Sequence, residues 1–379
     1  MTKEIAFGIG CFNFKPAKQI PFEFKTNVYL EKLKACLAQI PNLNNFIYSF
    51  DDETLSETLK VNEELPNITL DGDYFPYLSF SEIEFELYIP ERVQVDITGY
   101  EAKHLRTYSE TFKVSVHYNY HFPVSIVQIL NPSKEPDPSL AVRIVREFLR
   151  NEIAKIKNSE IEFESLGPSP FHVDCYLKPE IDVHEDDWLF DVRELTQKGF
   201  DKVTINYNSK EFSDANEALD LLKEDIVDEF GYCYKFISIQ NQKRQFWSEI
   251  HELVDELIII QKAKGIKGFF QRLFRRSSKI NTLFTEIADF EGLQIATNGL
   301  KQYEYNEIYR ANDQTFFQKY IDENLEEKYG YPVKEMSELI SFFESRRVKS
   351  IELIIAIVAS IIGGVIGAVA TMMLSGKSI

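Results

Sequence analysis

Three segments of this chain hold the residue types that chemistry requires. The first is His172-Val173-Asp174-Cys175, followed twelve residues after His172 by His184-Glu185-Asp186-Asp187. His172 and Asp174 stand two apart, so on a strand they share a face while Cys175 points the other way. Imidazoles and carboxylates hold divalent metals that activate water. His172, Asp174, His184 and Asp186 are therefore a candidate metal set, with His172, Asp174 and His184 as its candidate catalytic members. The competing reading is a Pro-rich turn at Gly167-Pro168-Ser169-Pro170, a strand and a solvated acidic loop, and the residue types favour it. Cys175 beside His172 lacks a third group to orient a base. His117 and His121 fall on one face of a strand with no carboxylate between them and read as surface or edge residues.

The second segment is basic. Lys262, Lys264, Lys267, Arg272, Arg275, Arg276 and Lys279 give +7 with no acid between Lys262 and Lys279. Ile266, Phe269, Phe270, Leu273 and Phe274 interleave at three- and four-residue spacing. A basic helix with an aromatic face suits an anionic membrane surface. That reading makes Lys262, Lys264, Lys267, Phe269, Phe270, Arg272, Phe274, Arg275 and Arg276 membrane-surface residues. Two alternatives stay open: a helical hairpin whose Phe face packs on the core and whose basic face pairs with acids, and a nucleic-acid or nucleotide contact. Gly265 and Gly268 do not form a Gly-Lys-Ser/Thr phosphate loop, and Gly8-Ile9-Gly10 lacks the third glycine of a dinucleotide fingerprint.

The third segment is the uncharged run Leu353–Leu374, 22 residues long. As a helix it spans roughly 33 Å, against about 30 Å of bilayer hydrocarbon. Five residues follow it, so the reading is a tail anchor inserted after synthesis. Arg346, Arg347 and Lys349 on one side against Lys377 on the other place the N-terminal bulk in the cytosol, as at a bacterial inner membrane. Ala356, Ser360, Gly364 and Ala368 form one row of small residues, with Gly363 and Gly367 in the next. Such rows let membrane helices approach and associate.

Hydropathy patterning supplies the elements that would position these segments. Ile5, Phe7 and Ile9 alternate as a strand, as do Ile83, Phe85, Leu87 and Ile89, then Val93, Val95 and Ile97, then Phe112, Val114 and Val116. Val28–Ile40 has helical spacing. Asp137-Pro138 opens a helix whose stripe runs to about Lys157. Phe171–Leu177, Val203–Tyr207 and Tyr232–Ile239 read as strands. Ser213–Phe230 reads as a helix capped by Ser213, with Ala218, Leu221, Leu222 and Ile226 inward. From Asn241 onward only helices fit, at Gln242–Lys262, Lys279–Phe290, Gln314–Tyr329 and Val333–Leu374. The expected fold is an antiparallel-rich α+β cytosolic body over 1–240, with a possible subdomain split near 131–138. A helical stalk follows over 241–350, containing the basic segment 262–279, and then a transmembrane anchor over 351–375. A mixed body, a helical stalk and a C-terminal membrane helix resemble the layout of CorA-like cation transporters over 241–374. The chain lacks their Gly-Met-Asn signature and second membrane helix, so the resemblance implies no transport.

Composition narrows the function. Forty-two Lys and Arg against 60 Asp and Glu give a net charge of −18 over 379 residues, which repels phosphate backbones and disfavours nucleic-acid partners. Cys11, Cys36, Cys175 and Cys233 form no C-x-x-C pair and fit a reducing compartment. The N-terminus shows no signal-peptide pattern. The expectation is a membrane-anchored homo-oligomer that contacts lipid and whose body senses a cytosolic ligand or protein. It would act as a membrane-perturbing effector, for example in bacterial stress or antiviral defence. A tethered metal-dependent hydrolase and a passive scaffold are the alternatives. The residues name no cofactor.

Overall fold

The computed structural model describes residues 4–17, 23–49, 58–60, 81–99, 107–118, 123–165, 173–180, 188–197, 200–265, 268, 275–311, 315–326 and 330–375. An antiparallel-rich sheet body and a long helical region make up these residues, arranged as two compact units. One unit is Met1–Ser238 with Gly299–Glu326, and the other is Ile239–Asn298 with Glu327–Ile379.

The first unit is built on an eight-stranded sheet. Its strands in chain order are β1 (Ile5–Gly10), β4 (Leu43–Ser49), β6 (Ser81–Tyr88), β7 (Thr111–Tyr118), β8 (Val124–Leu130), β10 (Val173–Glu180), β11 (Phe190–Gln197) and β12 (Phe200–Asn208). Their spatial order is β11-β12-β10-β1-β8-β7-β6-β4. Every neighbouring pair is antiparallel except β10 with β12. The alternation of Ile83, Phe85 and Leu87 with glutamates produces a strand with one face in the core. β2 (Phe12–Pro16) pairs with β9 (Ile161–Ser165), and β3 (Glu23–Lys25) with β5 (Thr58–Lys60), as two small sheets.

Helices α1 (Thr26–Leu37) and α3 (Pro138–Lys155) cover one sheet face. Their Leu33, Leu37, Ile144, Val145 and Phe148 join Phe85, Val114 and Val127 in a single core. β1 is buried along its whole length, so its alternation is that of a central strand covered on both faces. Glycine explains how α3 comes so close. A Cβ on Gly8 would stand 2.5 Å from Val142 Cγ2 and 2.6 Å from the Pro138 carbonyl oxygen, and one on Gly10 would stand 2.9 Å from Val142 Cγ1. These glycines, which fail as a nucleotide fingerprint, serve helix–sheet contact instead.

Four expectations are corrected. Val93, Val95 and Ile97 lie in helix α2 (Glu91–Thr98), not in a strand. Val93 and Ile97 are also four apart, which suits a helix, and Pro90 followed by Glu91 opens one. Tyr232–Ile239 lies inside the 48-residue helix α4 (Ala215–Lys262). Tyr232, Cys233, Tyr234 and Phe236 are all buried, and a helix covered on several sides loses its amphipathic period. Leu221 faces outward at 42% exposure, while Ala218, Leu219, Leu222 and Ile226 face inward. The cap of α4 is Asp214, whose Oδ1 accepts the amides of Asn216 and Glu217, rather than Ser213. Ser213 instead donates its amide and hydroxyl to Glu217.

The remaining helices are α5 (Arg276–Ala311), α6 (Gln318–Leu325) and α7 (Val333–Ser375). In the second unit Trp247, Ile250, Val254 and Leu257 of α4 pack with Ile280, Leu283, Ile287 and Phe290 of α5 and with Val333, Met336, Ile340 and Phe343 of α7. The three- and four-residue spacing on each helix is what makes this three-helix seam. Counting the described residues alone, no helix is long and apolar enough to cross a membrane. Within Leu353–Leu374 the side chains described are those of Ile355, Ala356, Val358–Gly364 and Ile366.

Gly8→Ala is expected to lower the stability of the first unit by about 1–3 kcal/mol, the usual range for overpacking. Denaturant unfolding followed by the sheet's circular dichroism checks it. Loss of less than about 0.5 kcal/mol, typical of an uncrowded surface site, would mean that α3 does not depend on that glycine.

Candidate functional site

Of the candidate metal set, only Asp174 is among the described residues; His172, His184 and Asp186 lie outside them. Asp174 Oδ1 accepts the Ser139 amide at 2.7 Å, in the first turn of α3. A carboxylate there complements the positive end of the helix. Asp137 occupies the cap position, but its side chain makes no capping hydrogen bond. Asp174 thus does the electrostatic work expected of Asp137, from a strand 35 positions away from Ser139. Around it Tyr176 donates its hydroxyl to the Pro136 carbonyl at 2.6 Å, and Lys202 lies over the Tyr176 ring at 4.4 Å while pairing with Glu135. Cys175 is fully buried, and burial pushes its thiol well up, so it is an inert core residue. No group of three potential metal ligands occurs among the described residues.

His117 is not a surface residue. Its partner carboxylate comes from the neighbouring strand, since β6 and β7 align Glu82 with His117. Glu82 Oε1 stands 3.4 Å from His117 Nε2, and Ser115 Oγ stands 3.1 Å from the same nitrogen. A Ser–His–acid relay needs serine and carboxylate on opposite ring nitrogens. Here both meet Nε2, and Ser115 is buried. Burial first, and then the Lys223 ammonium, pull the His117 pKa down to about 3. Lys223 of α4 reaches Glu82 at 3.5 Å and Asp220 at 2.9 Å. The group is a polar junction between sheet and α4, and its geometry is not that of such a relay.

A second buried junction went unrecognised in the sequence. Glu229 of α4 is 1% exposed. Its carboxylate accepts the Phe316 amide at 2.7 Å and the Phe317 amide at 2.9 Å, at the entry to α6. The Tyr309 hydroxyl donates to it at 3.5 Å. Phe316 packs on Phe190, and Phe317 on Phe230, which holds both amides against the carboxylate. Burial outweighs these hydrogen bonds and raises the Glu229 pKa to about 7. The signal was available: Glu229 stands seven after Leu222 and three after Ile226, on the apolar face, although it reads as part of an acidic run.

The described basic residues divide. Lys262, Lys264 and Arg275 are exposed. Arg276 is corrected from a membrane-surface residue to an internal one: it is 4% exposed, donates Nη2 to the Phe343 carbonyl and lies over the Phe343 ring. Lys279 pairs with Glu256 at 2.6 Å. Lys267, Phe269, Phe270, Arg272 and Phe274 lie outside the described residues. On α7, Ala356, Ser360, Gly363 and Gly364 are exposed, and no heavy atom lies within 4 Å of a Cβ built on either glycine. The side chains of Gly367 and Ala368 fall outside the described residues.

A cleft of about 680 Å³ opens on the first unit, lined among others by Tyr88, Gln94, Thr107, Glu110, Asn131 and Lys134. Buried Gln94 frames it by donating to the carbonyls of Ile89 and Ser109 and accepting from Thr107. Glu110 accepts the Tyr88 hydroxyl at 2.7 Å and the Glu91 amide at 2.6 Å, which together hold its carboxyl below the usual range. The walls offer two carboxylates, Glu91 and Glu110, and the Lys134 ammonium among hydroxyl and amide groups. Such a cleft can bind a small polar molecule.

The raised Glu229 pKa has a defined sign. The folded group binds a proton more tightly than the unfolded group, whose pKa is 4.5. Its favourable contribution is therefore complete below pH 4.5 and is lost as pH rises through about 7. His117 has the opposite sign: its contribution is present above pH 6.5 and falls away toward pH 3. Hydrogen-exchange protection of the Phe316 and Phe317 amides, corrected for intrinsic rates, should drop between pH 5 and 8. Glu229→Gln should flatten that drop, which amounts to about 3 kcal/mol at most. A drop that persists in the variant would exclude Glu229 as its source.

No protein-family model matches the chain, and comparison with curated proteins and with solved structures yields no match either, so the functional reading rests on residues and geometry alone.

Proposed function

We propose that this chain is a single-pass membrane protein held by its C-terminal helix, with the sheet body on the cytosolic side and copies associating through the membrane helix. The observation that carries this reading is the uncharged run Leu353–Leu374 on the unbroken helix α7. Its described apolar side chains point outward: Ile355 is 61% exposed, Ile361 61% and Ile366 63%. Burying one isoleucine is worth about 1.5–3 kcal/mol. A helix that leaves isoleucines exposed on several sides forgoes that gain repeatedly in water and recovers it in lipid. The excess of basic residues before the run over those after it supports the orientation.

The small-residue rows support association. Ser360 donates its hydroxyl to the Ala356 carbonyl at 2.8 Å, so it brings no unsatisfied polar atom into the hydrocarbon. Gly363 and Gly364 leave open space at the helix surface, where a second backbone can approach closely. In this reading the body is the sensing part, its cleft being the place for a small polar ligand, and assembly of the anchors carries the response to the membrane as an effector.

Alkaline carbonate washing of membranes is expected to leave full-length protein in the pellet and to release a chain that ends before Ile351. Full-length protein in the supernatant would refute the anchor. Gly363→Leu with Gly367→Leu is expected to remain in the pellet but to lose cross-linked oligomers. Oligomers that persist in this variant would place association elsewhere.

A further inference from the structure

The second unit sets where its exposed basic residues stand relative to α7. α4 and α5 run antiparallel there, with Glu256 on one paired to Lys279 on the other. Leu257 and Ile280 share a core with Ile340 and Phe343. At the start of α5, Arg276 donates to the Phe343 carbonyl and lies 5.6 Å from the centroid of its ring. The end of the α4–α5 hairpin is thereby held at the level of Phe343. Lys262, Lys264 and Arg275 are exposed at that end, and no acid occurs between Lys262 and Lys279. Along α7, Leu353 follows Phe343 by ten residues, about 15 Å of helix. Arg346, Arg347 and Lys349 occupy the interval.

We propose that the hairpin end, through Lys262, Lys264 and Arg275, binds the anionic phospholipid headgroups of the membrane that α7 enters. This rests on the assignment of Leu353–Leu374 to the bilayer. The distances favour it. The polar layer extends about 5–7 Å beyond the hydrocarbon on each side, so lipid charges come within about 10 Å of the Phe343 level. The Debye length at physiological ionic strength is about 8 Å, so over such a gap the attraction falls to roughly a third but is not abolished. Each cation at an anionic surface gains about fivefold in partition, so three gain on the order of a hundredfold. The anchor also keeps the hairpin end beside the lipid at high effective concentration. A dissolved polyanion has no such advantage. It would approach a chain whose charge outside Lys262–Lys279 is −18 − 7 = −25.

Ala263→Cys places a polarity-sensitive dye at the hairpin end, and labelling is selective because Cys11, Cys36, Cys175 and Cys233 are all buried. Full-length labelled protein is reconstituted in vesicles of phosphatidylcholine, and in vesicles of phosphatidylcholine with phosphatidylglycerol. The expected result is a blue shift in the anionic vesicles only, abolished by high salt and by K262E/K264E/R275E, and reduced by K262Q/K264Q/R275Q. Equal emission in both vesicles overturns the proposal, as does a shift that survives in the charge-reversed variant. Binding of single-stranded RNA through these residues, without a shift in vesicles, overturns it in favour of nucleic acid. Carbonate washing of the same vesicles reads the anchor separately. If the chain washes off, the anchor fails, and the dye shift with freshly added anionic vesicles still decides the lipid contact.

Discussion

The unbroken helix α7 is the constraint on which the second unit depends. Over Val333–Phe343 its apolar positions recur at three- and four-residue spacing and pack into the seam with α4 and α5. Beyond Glu352 the sequence is apolar all round, and the described side chains of Ile355, Ile361 and Ile366 are exposed. One helix thus satisfies two rules in succession: a stripe where protein covers one side, and an apolar run whose described side chains are exposed. No proline, and no glycine before Gly363, interrupts it, so rotation and position pass along the helix from the seam to the uncharged run. The Arg276 guanidinium reinforces this. A charge 4% exposed needs partners, and it takes one from the backbone of α7 itself.

The first unit depends on a different economy. Its central strand β1 is covered on both faces, and polar groups on α4 are paired where they meet strands and returning helices. Glu229 meets two amides at the entry to α6, Lys223 meets Glu82 and Asp220, and Lys235 meets Glu304. Buried charges of this kind contribute little net stability when paired and cost much when a partner is removed. Their effect is positional: each fixes one register of α4 against the sheet or against α5 and α6. The same logic reassigns Asp174. It lies on a strand beside a helix start, and the unsatisfied amides of that start are sufficient to account for a carboxylate there.

How much of this could be read from residues alone differs by element, for physical reasons. The strands β6 and β7 and the helix α3 follow patterns with one covered face, and their periods are plain. The last helix was expected from Val333 to Leu374 and runs from Val333 to Ser375, because Pro332 and the absence of breakers define it. The period failed where both faces are covered, as at Tyr232–Phe236, and where two and four coincide, as at Val93–Ile97. Site chemistry was less legible. The pairing of Glu82 with His117 depends on strand register, which local sequence does not carry. Gly8 and Gly10 were set aside for lacking the third glycine of a fingerprint, and their part in admitting α3 appears only once the helix is placed over β1.

Net charge and local charge make opposite statements about this chain, and distance decides between them. A body at −18 is repelled by an anionic surface, yet repulsion from charges farther than a Debye length, about 8–10 Å, is largely screened in the cell. Cations within that length of the surface are screened much less. A few lysines and arginines beside the start of an uncharged helix can therefore outweigh a much larger acidic excess elsewhere. The acidic excess has its own general effect, since a net charge far from zero favours solubility and disfavours adhesion to polyanions. In the proposed arrangement the hairpin end provides the contact, at the level of the second unit where Arg276 meets Phe343 of α7.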